Sequence, residues 1–174
     1  MNINLNQNRN LKLFKIISEV AERNHQSVYI VGGYVRDLMM SRKASTDIDF
    51  VTEQSGISLA ESVAKEINPK LKVSVFKNYG TAMFRYKDLE LEFVGARKES
   101  YSENSRKPEV ENGTLEDDQR RRDFTINAMA ISLNKENFGE LIDPFNGRED
   151  LQNGILKTPL EPHQTYSDDP LRMM

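Results

Sequence analysis

Val28-Tyr29-Ile30-Val31 is a short, β-prone apolar run that stops at Gly32-Gly33. A run of this kind, bounded by two glycines, reads as a buried strand entering a tight turn. Tyr34 to Met40 then reads as a helix. A helix that starts at such a turn leaves backbone N–H groups and a favourable dipole end facing it, a good cradle for phosphate oxygens. Arg36, one turn in, can add a two-pronged contact to the same anion. The plainer reading is a turn that needs glycine for its left-handed backbone. Taken alone, a glycine pair favours that plainer reading.

The next strand changes the balance. Asp47-Ile48-Asp49-Phe50-Val51 alternates as a strand does. Residues two apart project from one face, roughly 6.5–7 Å apart along the chain. Two carboxylates so placed repel each other unless a cation lies between them. Mg²⁺ prefers oxygen ligands and binds through one or two carboxylates plus substrate phosphates, so Asp47 and Asp49 are candidate ligands. Ile48 and Phe50 then point into the core. A solvated loop is the alternative for an isolated Asp-x-Asp, but this one follows Arg36 closely.

Around these segments the periodicity is that of an α/β domain with a mixed, largely antiparallel sheet. Leu11, Phe14, Ile17 and Val20/Ala21 mark one amphipathic helix, and Ile57, Ala60, Ala64 and Ile67 a second, ended by Asn68-Pro69. Leu71–Phe76, Thr81–Tyr86 and Leu89–Val94 read as strands, the last two joined by Lys87-Asp88 as a hairpin. Glu90 and Glu92 share a face of that hairpin: one is a candidate third carboxylate, or both line a solvated edge. Residues 99–118 read as one long polar loop. Ala128–Leu133 and Glu140–Ile142 follow as strands, with a helical turn at Glu149–Gln152.

Arg120-Arg121-Arg122 passes straight into Asp123-Phe124-Thr125-Ile126-Asn127. A basic run is usually a solvated face, yet the apolar continuation brings at least Arg122 to the domain body. Asp123 and Asn127 are polar groups in that apolar stretch and need partners, consistent with orienting a nucleotide or a loop. At the end of the chain, Asp168-Asp169 followed by Pro170 reads as a helix cap and first turn. The helix is cut off at Met174 after Arg172, so the expectation is a truncated element.

Composition narrows the classes. The chain has 174 residues and no cysteine, which excludes disulfides, thiolate catalysis and cysteine-ligated metals. His25 and His163 are its only histidines, too few for a multi-histidine centre. No apolar run is long enough to cross a bilayer, and the N-terminus does not read as a signal peptide. A net charge of −3 argues against a nucleic-acid binder that works by bulk positive charge.

These pieces, in this order, resemble the head domain of the class II CCA-adding tRNA nucleotidyltransferase and bacterial poly(A) polymerase family, within the superfamily typified by polymerase beta. The matching motifs are VGGYVRD (31–37), TDIDFV (46–51), NYGTAMF (78–84), LEFVGARKESY (91–101), TLEDDQRRRDFTINAMAI (114–131), LIDPFNGREDLQNGILKT (141–158) and DDPLRMM (168–174). The resemblance implies a polymerase-beta-type palm, a five-stranded mixed sheet flanked by helices. It implies an N-terminal helix over 1–27, the head over 28–160, and over 161–174 a linker with the start of a neck helix.

By position, the resemblance makes Asp47 and Asp49 the metal-binding aspartates of a two-Mg²⁺ site and Glu92 the third acid. Gly32, Gly33 and Arg36 match the triphosphate-holding turn, and Arg122 a nucleotide-site arginine. Asp123 and Asn127 belong to the same motif. Asp169 and Arg172 match the start of the motif that pairs with the incoming base. The implied activity is template-independent transfer of CMP and AMP from CTP and ATP to the 3′ end of tRNA in the cytoplasm, without a membrane partner. A-adding, CC-adding and poly(A)-adding enzymes share these head motifs. A degenerate RNA-binding module would tend to lose the carboxylates, and a small-molecule nucleotidyltransferase would lack the RRDFTIN and DDPLR segments. Two Mg²⁺ ions would add four charges to −3, giving +1, so the tRNA-gripping surface is expected mainly on domains beyond this chain, and these residues alone are expected to bind nucleotide weakly and transfer little.

Overall fold

The computed structural model describes residues 2–42, 45–100, 109–168 and 172. Helix α1 (Leu11–Arg23) buries Phe14, Ile17, Val20 and Ala21 as its spacing predicts. Strand β1 (Tyr29–Val31) runs into helix α2 (Gly33–Met39) through Gly32, and strand β2 (Asp47–Thr52) follows. Helix α3 (Gly56–Ile67) is capped by the Ser55 hydroxyl, which accepts from the Ser58 N–H at 3.2 Å. Strands β3 (Ser74–Phe76), β4 (Thr81–Tyr86) and β5 (Leu89–Gly95) come next, with β4 and β5 paired as the expected hairpin and Lys87 left-handed in its turn.

The sheet has seven strands rather than five, in the order β3-β4-β5-β2-β1-β8-β9. Strands β8 (Ala130–Ser132) and β9 (Leu141–Ile142) complete it. The residue-by-residue reading places a strand at each of these seven positions, whereas the resemblance implies five; β3 and β9 are short edge strands, three and two residues long. Among the described residues, only β2 and β5 pair in parallel, and every other neighbouring pair in this sheet is antiparallel. One face packs on α1 and α3. Phe50 and Phe93 stack there with centroids 4.8 Å apart, and Ile48, Phe50, Leu91 and Phe93 are fully buried. On the other face Val31, Val51 and Ala130 pack with Leu115.

The reading of 99–118 as one loop is corrected. Strand β6 (Arg97–Ser100) pairs with β7 (Glu109–Asn112) in a separate ladder, and helix α4 (Leu115–Arg120) follows; the rest of that stretch, 101–108, lies outside the described residues. The ladder's strands carry charged residues and almost no apolar alternation, so periodicity does not reveal them. The six-residue α4 is too short for a stripe, but its capping box, Thr114 with Asp117, is a readable signal. The strand expected from Leu71 begins at Ser74, after a turn closed by Leu71 N–H to Asn68 O at 2.9 Å. The strand expected from Ala128 begins at Ala130, because Thr125–Asn127 coils into a 3₁₀ turn.

Helix α5 (Gly147–Asn153) extends the predicted turn, and α6 (Pro162–Asp168) was not expected at all. Asp168 therefore ends a helix, where the sequence reading made it a cap before one. The helix start assigned to Pro170 lies outside the described residues.

Candidate active site

Strand register assembles the acidic centre. β2 lies parallel to β5 with Asp47 opposite Glu90 and Asp49 opposite Glu92. Side chains paired across neighbouring strands share a face, so these four carboxylates stand on the side of the sheet opposite Ile48 and Phe50. Glu90 is occupied: Arg85 grips its Oε2 through Nε at 2.9 Å and Nη2 at 2.8 Å. Asp47 is exposed, while Asp49 and Glu92 are half-buried.

The same strand pairing brings the glycine turn to this place. Val31 lies opposite Asp49, so β1 runs out into Gly32-Gly33 beside the aspartate pair. Gly32 has φ +73°, and a Cβ there would come within 3.2 Å of Arg122 Nη1 and 3.3 Å of Asp49 Oδ2. Only glycine combines that backbone with that closeness. Turn, aspartate and arginine thus converge on one spot.

A hydrogen-bond network positions the arginines. Arg36 donates from Nη1 to Asn127 Oδ1 at 2.8 Å and from Nε and Nη2 to Asp37 Oδ1 at 3.0 and 2.8 Å. Asn127 in turn donates to both carboxylate oxygens of Asp123, at 3.1 and 3.2 Å, and the Phe124 N–H closes on Asp123 Oδ1 at 2.7 Å. Asp123 therefore holds Asn127, and Asn127 holds Arg36. Arg122 is anchored from the other side: Nε and Nη2 each lie 2.8 Å from Asp118 Oδ2.

Asp118 is the residue the sequence reading missed. It is 2% exposed and is also paired with Arg121 at 3.3 Å. Its signal was its place four residues before Arg122, which puts both on one face of a helical turn. Arg120, by contrast, makes an exposed pair with Glu116 and fits the solvated-face reading. Of the residues matched to the base-pairing motif, Asp169 lies outside the described residues, and Arg172 donates from Nη1 to the Thr165 carbonyl in α6 at 3.2 Å.

The acids are electrostatically stressed. Burial pushes the Asp49 carboxyl above its usual range; Arg122 pulls it back, and Asp47 and Asp118 push it up further. Glu92 is raised by burial, then by Asp49 and Glu90. A cation on this face would relieve both. Among the described residues, no three His, Cys, Asp or Glu side chains are grouped closely enough to hold a metal ion alone. A pair of carboxylates completed by substrate phosphates is how Mg²⁺ is commonly held, so Asp47 and Asp49 fit the ion in that mode.

Fold and site together define an α/β domain that sets a pair of carboxylates beside a glycine turn and two arginines. The chain belongs to the poly A polymerase head domain family, whose model matches residues 28–157. It is similar to the A-adding tRNA nucleotidyltransferase of Aquifex aeolicus, 42% identical over 146 residues, 84% of this chain and 17% of the relative. A solved CCA-adding enzyme in an apo form superposes with TM-score 0.83 at 35% identity, covering 96% of this chain and 38% of that one. A tRNA nucleotidyltransferase complexed with a primer tRNA and an incoming ATP analog superposes with TM-score 0.77 at 37% identity, covering 90% and 42%. The chain thus spans less than half the length of these relatives. Among the described residues, no helix is long and apolar enough to cross a membrane.

Proposed function

We propose that this chain is the catalytic head of a cytoplasmic, template-independent tRNA nucleotidyltransferase that adds CMP and AMP from CTP and ATP to a tRNA 3′ end. The observation that carries this is the register of β2 on β5, with Asp47 and Asp49 beside Glu92 and against the Gly32 turn. In this reading residues 28–160 form the head, 1–27 pack on it, and 161–174 lead to the domains that grip tRNA.

The tRNA 3′-oxygen attacks the α-phosphorus, the bond from that phosphorus to the bridging oxygen breaks, and pyrophosphate leaves with the electron pair. Asp47 and Asp49 would hold the Mg²⁺ ions together with the substrate phosphates. When bound, Mg²⁺ lowers the pKa of the attacking hydroxyl and offsets charge on the leaving group. The Gly32-Gly33 turn admits the triphosphate close to the backbone, with Arg36 and Arg122 supplying positive charge at its rim. Glu92, basic for a carboxylate, accepts a hydrogen bond from the attacking hydroxyl and helps to draw off its proton. Asp123 and Asn127 act through Arg36, and Asp169 and Arg172 are assigned to the motif that pairs with the incoming base. Positioning and charge compensation supply the rate.

Adenylation without CMP addition is the second reading, favoured by the name of the Aquifex relative. Incubating the full-length enzyme that carries this head with tRNA lacking its 3′-terminal CCA, and with CTP and ATP singly and together, separates the two. CMP incorporation is the expected result and excludes a purely A-adding enzyme; AMP addition only to tRNA already ending in CC establishes the second reading.

A further inference from the structure

The carboxylate face continues beyond the acids. From Asp49 the paired residues run through Glu92 on β5 and Met83 on β4 to Ser74 on the edge strand β3. The adjoining row runs through Val94 and Thr81 to Phe76. Three strand spacings, roughly 14 Å, separate Asp49 from the β3 edge. On the β1 side this face is closed over by Leu115; on the β3 side Lys72, Ser74 and Phe76 point outward while Leu71, Val73 and Val75 pack inward.

Two large aromatics stand open at this edge, Phe76 at 45% and Tyr79 at 67% exposure. They sit in a stretch, residues 67–87, that contains Lys70, Lys72, Lys77, Arg85 and Lys87 and no acidic residue, in a chain of net charge −3. No ion pair among the described residues involves Lys70, Lys72 or Lys77. Exposed rings interleaved with lysines are what binds single-stranded nucleic acid, the rings stacking on bases and the lysines meeting phosphates.

We propose that the open β3–β4 half of the sheet is the track for the 3′-terminal nucleotides of the RNA acceptor, with Phe76 and Tyr79 as the stacking platform and Lys72 and Lys77 as phosphate contacts. The proposal rests on the nucleotidyltransferase reading and adds where the acceptor lies. It gives the head its own RNA-binding surface, which the overall acidity of the chain conceals.

The test uses the 174-residue chain and a 5′-fluorescein-labelled single-stranded RNA with a free 3′-hydroxyl, followed by anisotropy, with Mg²⁺-dependent ATP binding measured in parallel. Phe76→Ala is expected to weaken RNA binding about tenfold, the worth of one stacked base, and to leave ATP binding unchanged. Phe76→Tyr restores binding and Phe76→Leu does not, because a packing role needs bulk and stacking needs a ring. Lys72→Gln with Lys77→Gln is expected to flatten the salt dependence. Wild-type affinity in Phe76→Ala, equal rescue by leucine, or no RNA binding by the wild type overturns the track. Concentration-dependent pairing of two copies that Phe76→Ala abolishes also overturns it, in favour of an edge-strand dimer. Loss of Mg²⁺-dependent ATP binding in the wild type is the separate result that would count against the nucleotidyltransferase reading.

Discussion

Asp118 and Asp49 show how differently a buried and a half-buried carboxylate serve one site. Asp118 is a buried acid whose charge is matched by Arg121 and Arg122. Replacing it by Asn leaves the guanidiniums facing a neutral group, and breaking a buried pair costs about 3–5 kcal/mol at the upper end. Since both arginines keep some contact with solvent, Asp118→Asn is expected near the lower end, read as a fall in unfolding free energy in urea, with nucleotide affinity falling as Arg122 loses its anchor. Asp49 is the opposite case. Its raised pKa means that the folded protein disfavours its ionised form. The folded state therefore holds this proton more tightly than the unfolded state, and stability rises as pH falls through the folded-state pKa. In EDTA, Asp49→Asn is expected to melt above the wild type at neutral pH, with the gap narrowing on acidification; melting curves across that range check it. Stability and function thus oppose each other at this residue, as they do at many active sites.

At the scale of elements, the position of the glycines matters more than their number. Gly147, the first residue of α5, lies so close to the 3₁₀ turn that a Cβ would stand 2.1 Å from the Thr125 carbonyl oxygen. That turn also bonds Thr125 Oγ1 to Asp150 Oδ2 at 2.6 Å, and it carries Asn127 towards Arg36. Gly147→Ala must push the turn away, at a cost of about 3 kcal/mol or more for an unrelieved overlap, and the displaced Asn127 should release Arg36. A lowered Tm together with weakened nucleotide binding is the expected outcome. The long, periodic elements α1, α3, β2, β4 and β5 were legible because each carries enough apolar repeats to reveal its face. The β6–β7 ladder and α6 were not, because neither displays an apolar stripe. The site was legible where chemistry and spacing coincide, as in Asp47-x-Asp49 and the glycine pair. Asp118 was hidden because its role is defined by a partner in space and by burial, neither of which a polar run announces.

For the molecule as a whole, the sheet does two jobs. Its α1- and α3-covered face builds the core, and its opposite face presents Asp47, Asp49 and Glu92 in register with the Gly32 turn. The chain's net charge of −3 hides an uneven distribution, with carboxylates gathered at Asp47, Asp49 and Glu92 and a lysine-rich stretch, residues 67–87, without an acid. The central claim is that the Asp47–Asp49 pair binds nucleotide through a divalent cation. The most direct measurement is equilibrium binding of ATP and CTP to the chain with Mg²⁺ and with EDTA, for the wild type and for Asp47→Asn, an exposed position whose loss leaves the core untouched. Mg²⁺ is expected to strengthen wild-type binding at least tenfold, the ordinary scale of a 1.4 kcal/mol contribution, and Asp47→Asn to remove this gain without lowering Tm. Equal binding in Mg²⁺ and EDTA, or an undiminished Mg²⁺ effect in Asp47→Asn, would contradict that claim.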